Sequence, residues 1–179
     1  MKHRFYVISA LLGVGIGLSS PSFAEGASVA QARLIDSTGN RIGIATFVEH
    51  KKGAQITLNV KGLTPGAHGM HIHNVGECDT TTKFLSAGPH FNPHGTLHGA
   101  HSSTGPHAGD LPNLIVKENG KVAESMENSL ITLEEGLINS IIDADGSALI
   151  IHAGPDDLIS DPTGKSGGRI ACGVIEKLN

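Results

Sequence analysis

Tryptophan is absent from this chain of 179 residues, tyrosine occurs once, and aromatic residues make up 3% of it. Cysteine occurs only twice, and the 13 lysines and arginines are outnumbered by 17 acids, leaving a formal charge of −4. A protein of that sign is a poor general binder of nucleic acid or of an anionic membrane. No apolar run reaches the roughly 20 residues that a membrane-spanning helix needs. No internal repeat or interdomain linker is evident, and the length suits one domain with a substantial core. What is plentiful is glycine, at 24 residues. Few large rings and many glycines describe short strands joined by turns.

The first residues stand apart. Lys2 and Arg4 precede an apolar stretch from Phe5 to Leu18, which contains three glycines, and Pro21 and Ser22-Phe23-Ala24 follow. This is the layout of a secretory signal peptide, with cleavage expected after Ala24. Residues 1–24 are therefore set aside and 25–179 are read as the single mature domain, with no membrane anchor left after removal. Losing Lys2 and Arg4, and no acid, moves the formal charge from −4 to −6. Export also bears on the cysteines. Cys78 and Cys172 would meet an oxidising compartment, and two cysteines permit one intramolecular bridge. Closing that loop of about 94 residues is worth roughly 4.5 kcal/mol in the chain-entropy picture.

In the mature chain, Ile56, Leu58 and Val60 alternate with Thr57 and Asn59, the pattern of a half-buried strand, and the turn residues Gly62-Leu63-Thr64-Pro65-Gly66 end it. The same rhythm predicts strands near 29–35, 41–50, 55–60, 67–73, 114–118, 121–127, 148–152 and 170–176. Eight strands make an all-β sandwich or small barrel. Two long segments, 74–113 and 153–169, are rich in Gly, Pro, Asp and Ser. Structureless connections of that length are usually functional or disordered. Residues 134–139 could form a short helical turn.

Those long segments hold most of six histidines and one aspartate spaced as two metal sites that share a ligand. His71 and His73 are two apart, so on a strand they share one face while Met70 and Ile72 face the core, which makes a two-point chelate on the barrel surface. His152 ends the apolar run Ala148-Leu149-Ile150-Ile151 and brings a third imidazole to the rim. Three or four imidazoles suit copper, zinc, iron or nickel. His98, His107 and Asp110 form a second cluster of loop residues that includes a carboxylate, a set that tetrahedral zinc accepts. His90 lies between the clusters, and an imidazole that gives up both ring nitrogens could serve two ions at once.

The strings GMHIH, SAGPHFNP, HAGDLPN, IIHAGPDD and GGRIACGVI resemble those of copper/zinc superoxide dismutases, in particular the secreted bacterial branch, from about Ala27 to the C-terminus. This family is a standing example of a β-sandwich, so an eight-stranded Greek-key β-barrel or sandwich of immunoglobulin-like type, with two long functional loops, is inherited from the resemblance. The resemblance implies copper on His71, His73, His90 and His152, and zinc on His90, His98, His107 and Asp110. It implies a disulfide between Cys78 and Cys172, catalytic roles for His90 and for Arg169 as the guide of the anion beside copper, and a carboxylate, Asp156, linking a copper histidine to a zinc histidine. The implied activity is dismutation of superoxide in antioxidant defence, in the periplasm, by a protein that could form a homodimer. The alternative is a copper- or zinc-binding or delivery module on the same fold without turnover. Such a module would keep some ligands and lose a copper histidine or the arginine, and all of these positions are present.

Four histidines of the mature chain stay outside the assignment. His94 and His101 flank His98 and could replace it, although the family register points to His98. His68 matches a residue that packs beneath the copper site, and His50 reads as a solvated strand end. Lys165 is a weaker steering candidate than Arg169 in a segment that also carries Asp156, Asp157 and Asp161. Residues 79–85 lengthen the disulfide loop.

Overall fold

A computed structural model of the chain describes residues 27–178. The segment 1–24 expected to be a signal peptide lies outside the described residues. Alternating burial builds the first strands. In β1 (Val29–Asp36) Ala30, Ala32 and Leu34 are buried, in β2 (Arg41–His50) Ile42, Ala45 and Phe47, and in β3 (Gly53–Lys61) Ala54, Ile56, Leu58 and Val60. Each of the larger side chains here, Leu34, Ile42, Phe47, Ile56, Leu58 and Val60, contributes about 1.5–3 kcal/mol when taken from water, and each alanine less. The remaining strands are β4 (Gly66–His68), β5 (Met70–His73), β6 (Leu114–Val116), β7 (Lys121–Asn128), β8 (Ser147–His152) and β9 (Arg169–Lys177).

All strand pairs are antiparallel, in a seven-stranded sheet of order β5-β8-β9-β1-β2-β3-β7 and a two-stranded sheet β4-β6. The long sheet is strongly curled, and β3 pairs with β7 and β5 with β8, so the chain crosses between sheet regions in the Greek-key manner. The all-β Greek-key expectation holds. Two local expectations do not. The predicted strand 67–73 is split at Gly69, whose N–H donates to Gly154 O (2.8 Å) while its carbonyl accepts from His152 N–H (2.8 Å). A Cβ there would sit 2.5 Å from Ser166 Oγ, so the close approach of segment 153–169 requires glycine at the break. The helical turn expected at 134–139 is absent, and that segment runs as turns and bends tied by a Thr132–Ser140 bridge. Among the described residues the one helical turn is a 3₁₀ turn, Leu85–Ala87, in the disulfide loop.

β8 is buried along its whole length because both of its faces are covered. Leu149 and Ile151 pack into the main core, whereas Ala148 and Ile150 join Cys172, Phe84 and Ala87 in a satellite cluster on the outer face. The disulfide Cys78–Cys172 fastens the loop over that face. His71 lies opposite Ile150 and His73 opposite Ala148 across the β5–β8 pair, which puts both on the same outer face. The sequence placed them on the barrel surface, yet they are 0% and 1% exposed. Segments 74–113 and 153–169 fold over them, and a barrel face becomes a closed site.

Candidate metal centre

Four histidines from three parts of the chain meet on that face: His71 and His73 of β5, His90 from the loop, and His152 at the end of β8. Each offers one ring nitrogen to a group whose atoms all lie within 4.8 Å of one another. Those atoms identify themselves by what they lack. His71 Nδ1, His73 Nε2, His90 Nε2 and His152 Nε2 are buried and have no hydrogen-bond partner. Leaving a buried polar atom unpaired costs about 1–3 kcal/mol, so four aimed at one point call for an occupant.

The opposite nitrogens show how each ring is held. His73 Nδ1–H donates to Gly88 O at 2.8 Å and His152 Nδ1–H to Gly167 O at 3.1 Å. His71 Nε2 is 2.6 Å from Asp156 Oδ2. With the proton fixed at that end, the lone pair is left at the orphaned end, which is the tautomer that a metal takes. Burial pushes the protonation of His73 well below the usual histidine range, and pushes His152 to about 3 and His90 to about 4. His73, His90 and His152 are therefore neutral donors at neutral pH.

The second group joins His90, His98, His107 and Asp110. Asp110 Oδ1 lies 3.0 Å from His90 Nδ1, 3.1 Å from His98 Nδ1 and 3.3 Å from His107 Nδ1. Its other oxygen accepts backbone N–H groups from Gly99 (2.9 Å) and His107 (3.0 Å). Burial would raise this carboxyl, but the hydrogen bonds from the histidines and Gly99 outweigh it and hold it far below the ordinary aspartate range. His90 alone is in both groups, with Nδ1 toward Asp110 and Nε2 toward the four-histidine group. One ring between two sites is the arrangement that an imidazolate bridge requires.

Asp156 connects the groups from behind. Oδ2 takes His71, while Oδ1 takes His98 Nε2 at 3.0 Å and the Leu158 N–H at 2.6 Å. Although burial opposes it, the hydrogen bonds from His71 and His98 keep this carboxyl well below its usual range. Gly164, at φ +61, lies so close that a Cβ would collide with Asp156 Oδ1. Two further residues escaped sequence reasoning. Asn113 brackets the Asp156 backbone, donating to its carbonyl at 2.8 Å and accepting its N–H at 2.7 Å. Asp161 accepts the His98 N–H at 2.7 Å and lies 3.7 Å from His107 Nε2. Asn113 ends the quoted string HAGDLPN, which was a usable signal, whereas Asp161 had none.

Arg169 begins β9, three residues before Cys172, and is half-buried. Its Nη1 donates to Phe84 O and its Nη2 to Gly88 O, both at 2.6 Å. Gly88 O thus receives both Arg169 and His73. The guanidinium charge is felt at His73 and His152, whose protonation it opposes, so it lies beside the four-histidine group. Lys165 instead pairs with Asp157 at 3.7 Å. His94, His101 and His50 are exposed and outside both groups. His68 is buried, with Nδ1 2.6 Å from His152 O and Nε2 2.9 Å from Thr64 O, and so buttresses the strand end that carries His152.

The donor chemistry fits two ions of different kinds. An all-imidazole group suits copper, and three imidazoles with a carboxylate suit zinc. The family model described as copper/zinc superoxide dismutase (SODC) matches residues 41–175. The chain is similar to superoxide dismutase [Cu-Zn] 2 of Aquifex aeolicus, 46% identical over 169 residues that span 94% of this chain and 98% of that one. Among solved structures, a SOD-like protein from Bacillus subtilis is 38% identical with a TM-score of 0.78, covering 80% of this chain and 96% of its own. The Cu/Zn superoxide dismutase from Brucella abortus is 30% identical with a TM-score of 0.67, covering 83% and 99%.

Proposed function

The chain belongs to the copper/zinc superoxide dismutase family, and from that premise we propose that His71, His73, His90 and His152 hold copper, that His90, His98, His107 and Asp110 hold zinc, and that Arg169 binds the substrate anion. The protein is an oxidoreductase that converts two superoxide anions and two protons into dioxygen and hydrogen peroxide, an antioxidant activity, with copper and zinc as cofactors. Copper supplies the one-electron redox couple that this reaction needs, and zinc, which has one stable oxidation state, supplies fixed positive charge.

The side chains then have separate tasks. His71, His73 and His152 present rings whose far nitrogens are locked by Asp156, Gly88 O and Gly167 O. His90 keeps its place through Nδ1, and its Nε2 is the atom at which a proton can be held and passed to the reduced oxygen species. Burial opposes a charged, doubly protonated His90, which favours passing a proton on over keeping it. Arg169 spends Nη1 and Nη2 N–H groups on carbonyls and retains others for a small anion. His90 and His152 are 5% and 4% exposed, so the four-histidine group is nearly closed off from solvent. On a protein of negative net charge, attraction must be local: a cation focused in a narrow opening raises association by about 10- to 1,000-fold, as is known for this class of enzyme, and salt weakens the effect.

The disulfide and the bacterial relatives accord with an extracellular or periplasmic form. The finer reading is the periplasm, reached through a signal peptide cleaved after Ala24. Superoxide is the substrate, and among the described residues no helix is long and apolar enough to cross a membrane. The observation that carries the site assignment is the convergence of four orphaned imidazole nitrogens on one point. The test is to load the purified protein with both metals and assay superoxide consumption beside metal content. Rapid turnover with about one copper and one zinc per chain supports the assignment. Full loading without turnover would leave metal storage or delivery as the function.

A further inference from the structure

The loop between Cys78 and Gly88 contains two consecutive residues in the left-handed region, Lys83 at φ 55 and Phe84 at φ 62. Neither is glycine, and a bulky side chain enters that region at a cost. Strain of this kind persists where the surroundings over-determine it. Here the surroundings are the turn below and the packing above. Phe84 N–H donates to Asp79 O at 2.9 Å and Lys83 N–H to Thr80 O at 3.1 Å, closing a tight turn. The Phe84 ring is 0% exposed, packed with Ala148, Ile150 and Cys172 on the outer face of β8 and β9, while the next residue, Leu85, is 67% exposed. The left-handed turn sends the ring inward and leaves the Phe84 carbonyl facing Arg169.

We infer that Phe84 is a positioning residue for Arg169: its ring plugs the satellite core so that its carbonyl is held where it accepts the Arg169 Nη1–H. Gly88 O holds the other arm of the guanidinium, but that carbonyl also serves His73. The Phe84 carbonyl is therefore the acceptor through which the arginine can be adjusted independently of the four histidines. The disulfide anchors the start of the loop, and the ring anchors its middle. Without the ring, the left-handed turn is held only by its backbone hydrogen bonds, among them Ala87 N–H to Phe84 O at 3.2 Å, and its relaxation would leave the guanidinium one acceptor of two. This inference rests on Arg169 being the anion partner.

The test uses the copper- and zinc-loaded protein and azide as an anion probe, with affinity read from the change in the copper absorption spectrum. Free-thiol titration and elemental analysis accompany each variant. Phe84→Ala is expected to keep both metals and the disulfide and to weaken azide binding by about tenfold, the loss of one hydrogen bond to a charged group. Phe84→Leu, which refills the pocket, should recover most of the affinity. In an Arg169→Ala background, Phe84→Ala should cause no further loss. If Phe84→Ala does not fold, Phe84→Gly deletes the ring with a residue suited to the backbone at φ 62. Unchanged azide affinity in the ring deletion, with a clear loss in Arg169→Ala, overturns the role of Phe84 and leaves that of Arg169 standing. Independent, additive losses overturn it as well. No loss in Arg169→Ala alone overturns the assignment of Arg169, and this inference with it.

Discussion

Replacing Asp156 by alanine should separate the two metals. The carboxylate takes His71 at 2.6 Å on one oxygen, and His98 at 3.0 Å with the Leu158 N–H at 2.6 Å on the other. A hydrogen bond to a charged group contributes about 1.5–3 kcal/mol, and loss of a partner behind a metal ligand lowers metal affinity about 10- to 100-fold. The two sides do not feel the loss equally. His71 sits within β5, paired to Ile150 of β8 and stacked on His90 with centroids 3.9 Å apart, so its position survives. His98 lies in segment 74–113, and Asp156 fixes both its ring and the neighbouring turn at Leu158. The zinc affinity should fall by about 10- to 100-fold and the copper affinity by distinctly less. Titration of the metal-free variant against chromophoric chelators, one metal at a time, gives both values. A zinc affinity within about twofold of the parent protein, or a copper loss larger than the zinc loss, would refute the reasoning.

Arg169→Ala should retain both metals and lower kcat/KM for superoxide about tenfold or more, with the remaining rate less sensitive to salt; stopped-flow assays across ionic strength check this. His98→Ala should abolish stoichiometric zinc, whereas His94→Ala and His101→Ala, at exposed positions outside the cluster, should leave it intact by elemental analysis. The metal-free protein should lose stability on acidification. His90 and His152 have folded-state values near 4 and 3 against 6.5 ordinarily, so below 6.5 the unfolded chain binds more protons and stability drops as pH falls from about 6.5 toward 4. Each such proton contributes about 1.4 kcal/mol per pH unit, and a urea midpoint that stays constant between pH 7 and 5 would contradict this. Reduction of Cys78–Cys172 should lower stability by up to roughly 4.5 kcal/mol and weaken azide binding, since the loop it ties carries both carbonyls that hold Arg169.

Strands were legible wherever a single face is buried. The alternation in β1, β2 and β3 was read from period two alone, with boundaries within two residues, whereas nine strands form where eight were expected because 67–73 is split. Where both faces are covered the reading faltered: the pattern around His71 and His73 is continuous through Gly69, and only the arrival of segment 153–169 splits it. The candidate ligands were legible as residue types at motif spacing. Their burial was not, since a strand pattern shows which residues share a face and says nothing of what a forty-residue loop does above it. Asp161 and Phe84 were invisible for the same reason, each acting through a contact with a residue distant in sequence.

By itself the sequence determined the chemistry this protein can offer: a set of imidazoles and one carboxylate suited to two different ions, a single pair of cysteines, and an all-β chain with two long loops. Those follow from composition and local periodicity, which are properties of neighbouring residues. Tertiary structure alone decided which nitrogen of each histidine is free, which is protonated, and that His90 faces both sites. Tautomer and burial are set by partners up to 85 residues away, as in His71 with Asp156, and only folding brings such partners within hydrogen-bonding distance.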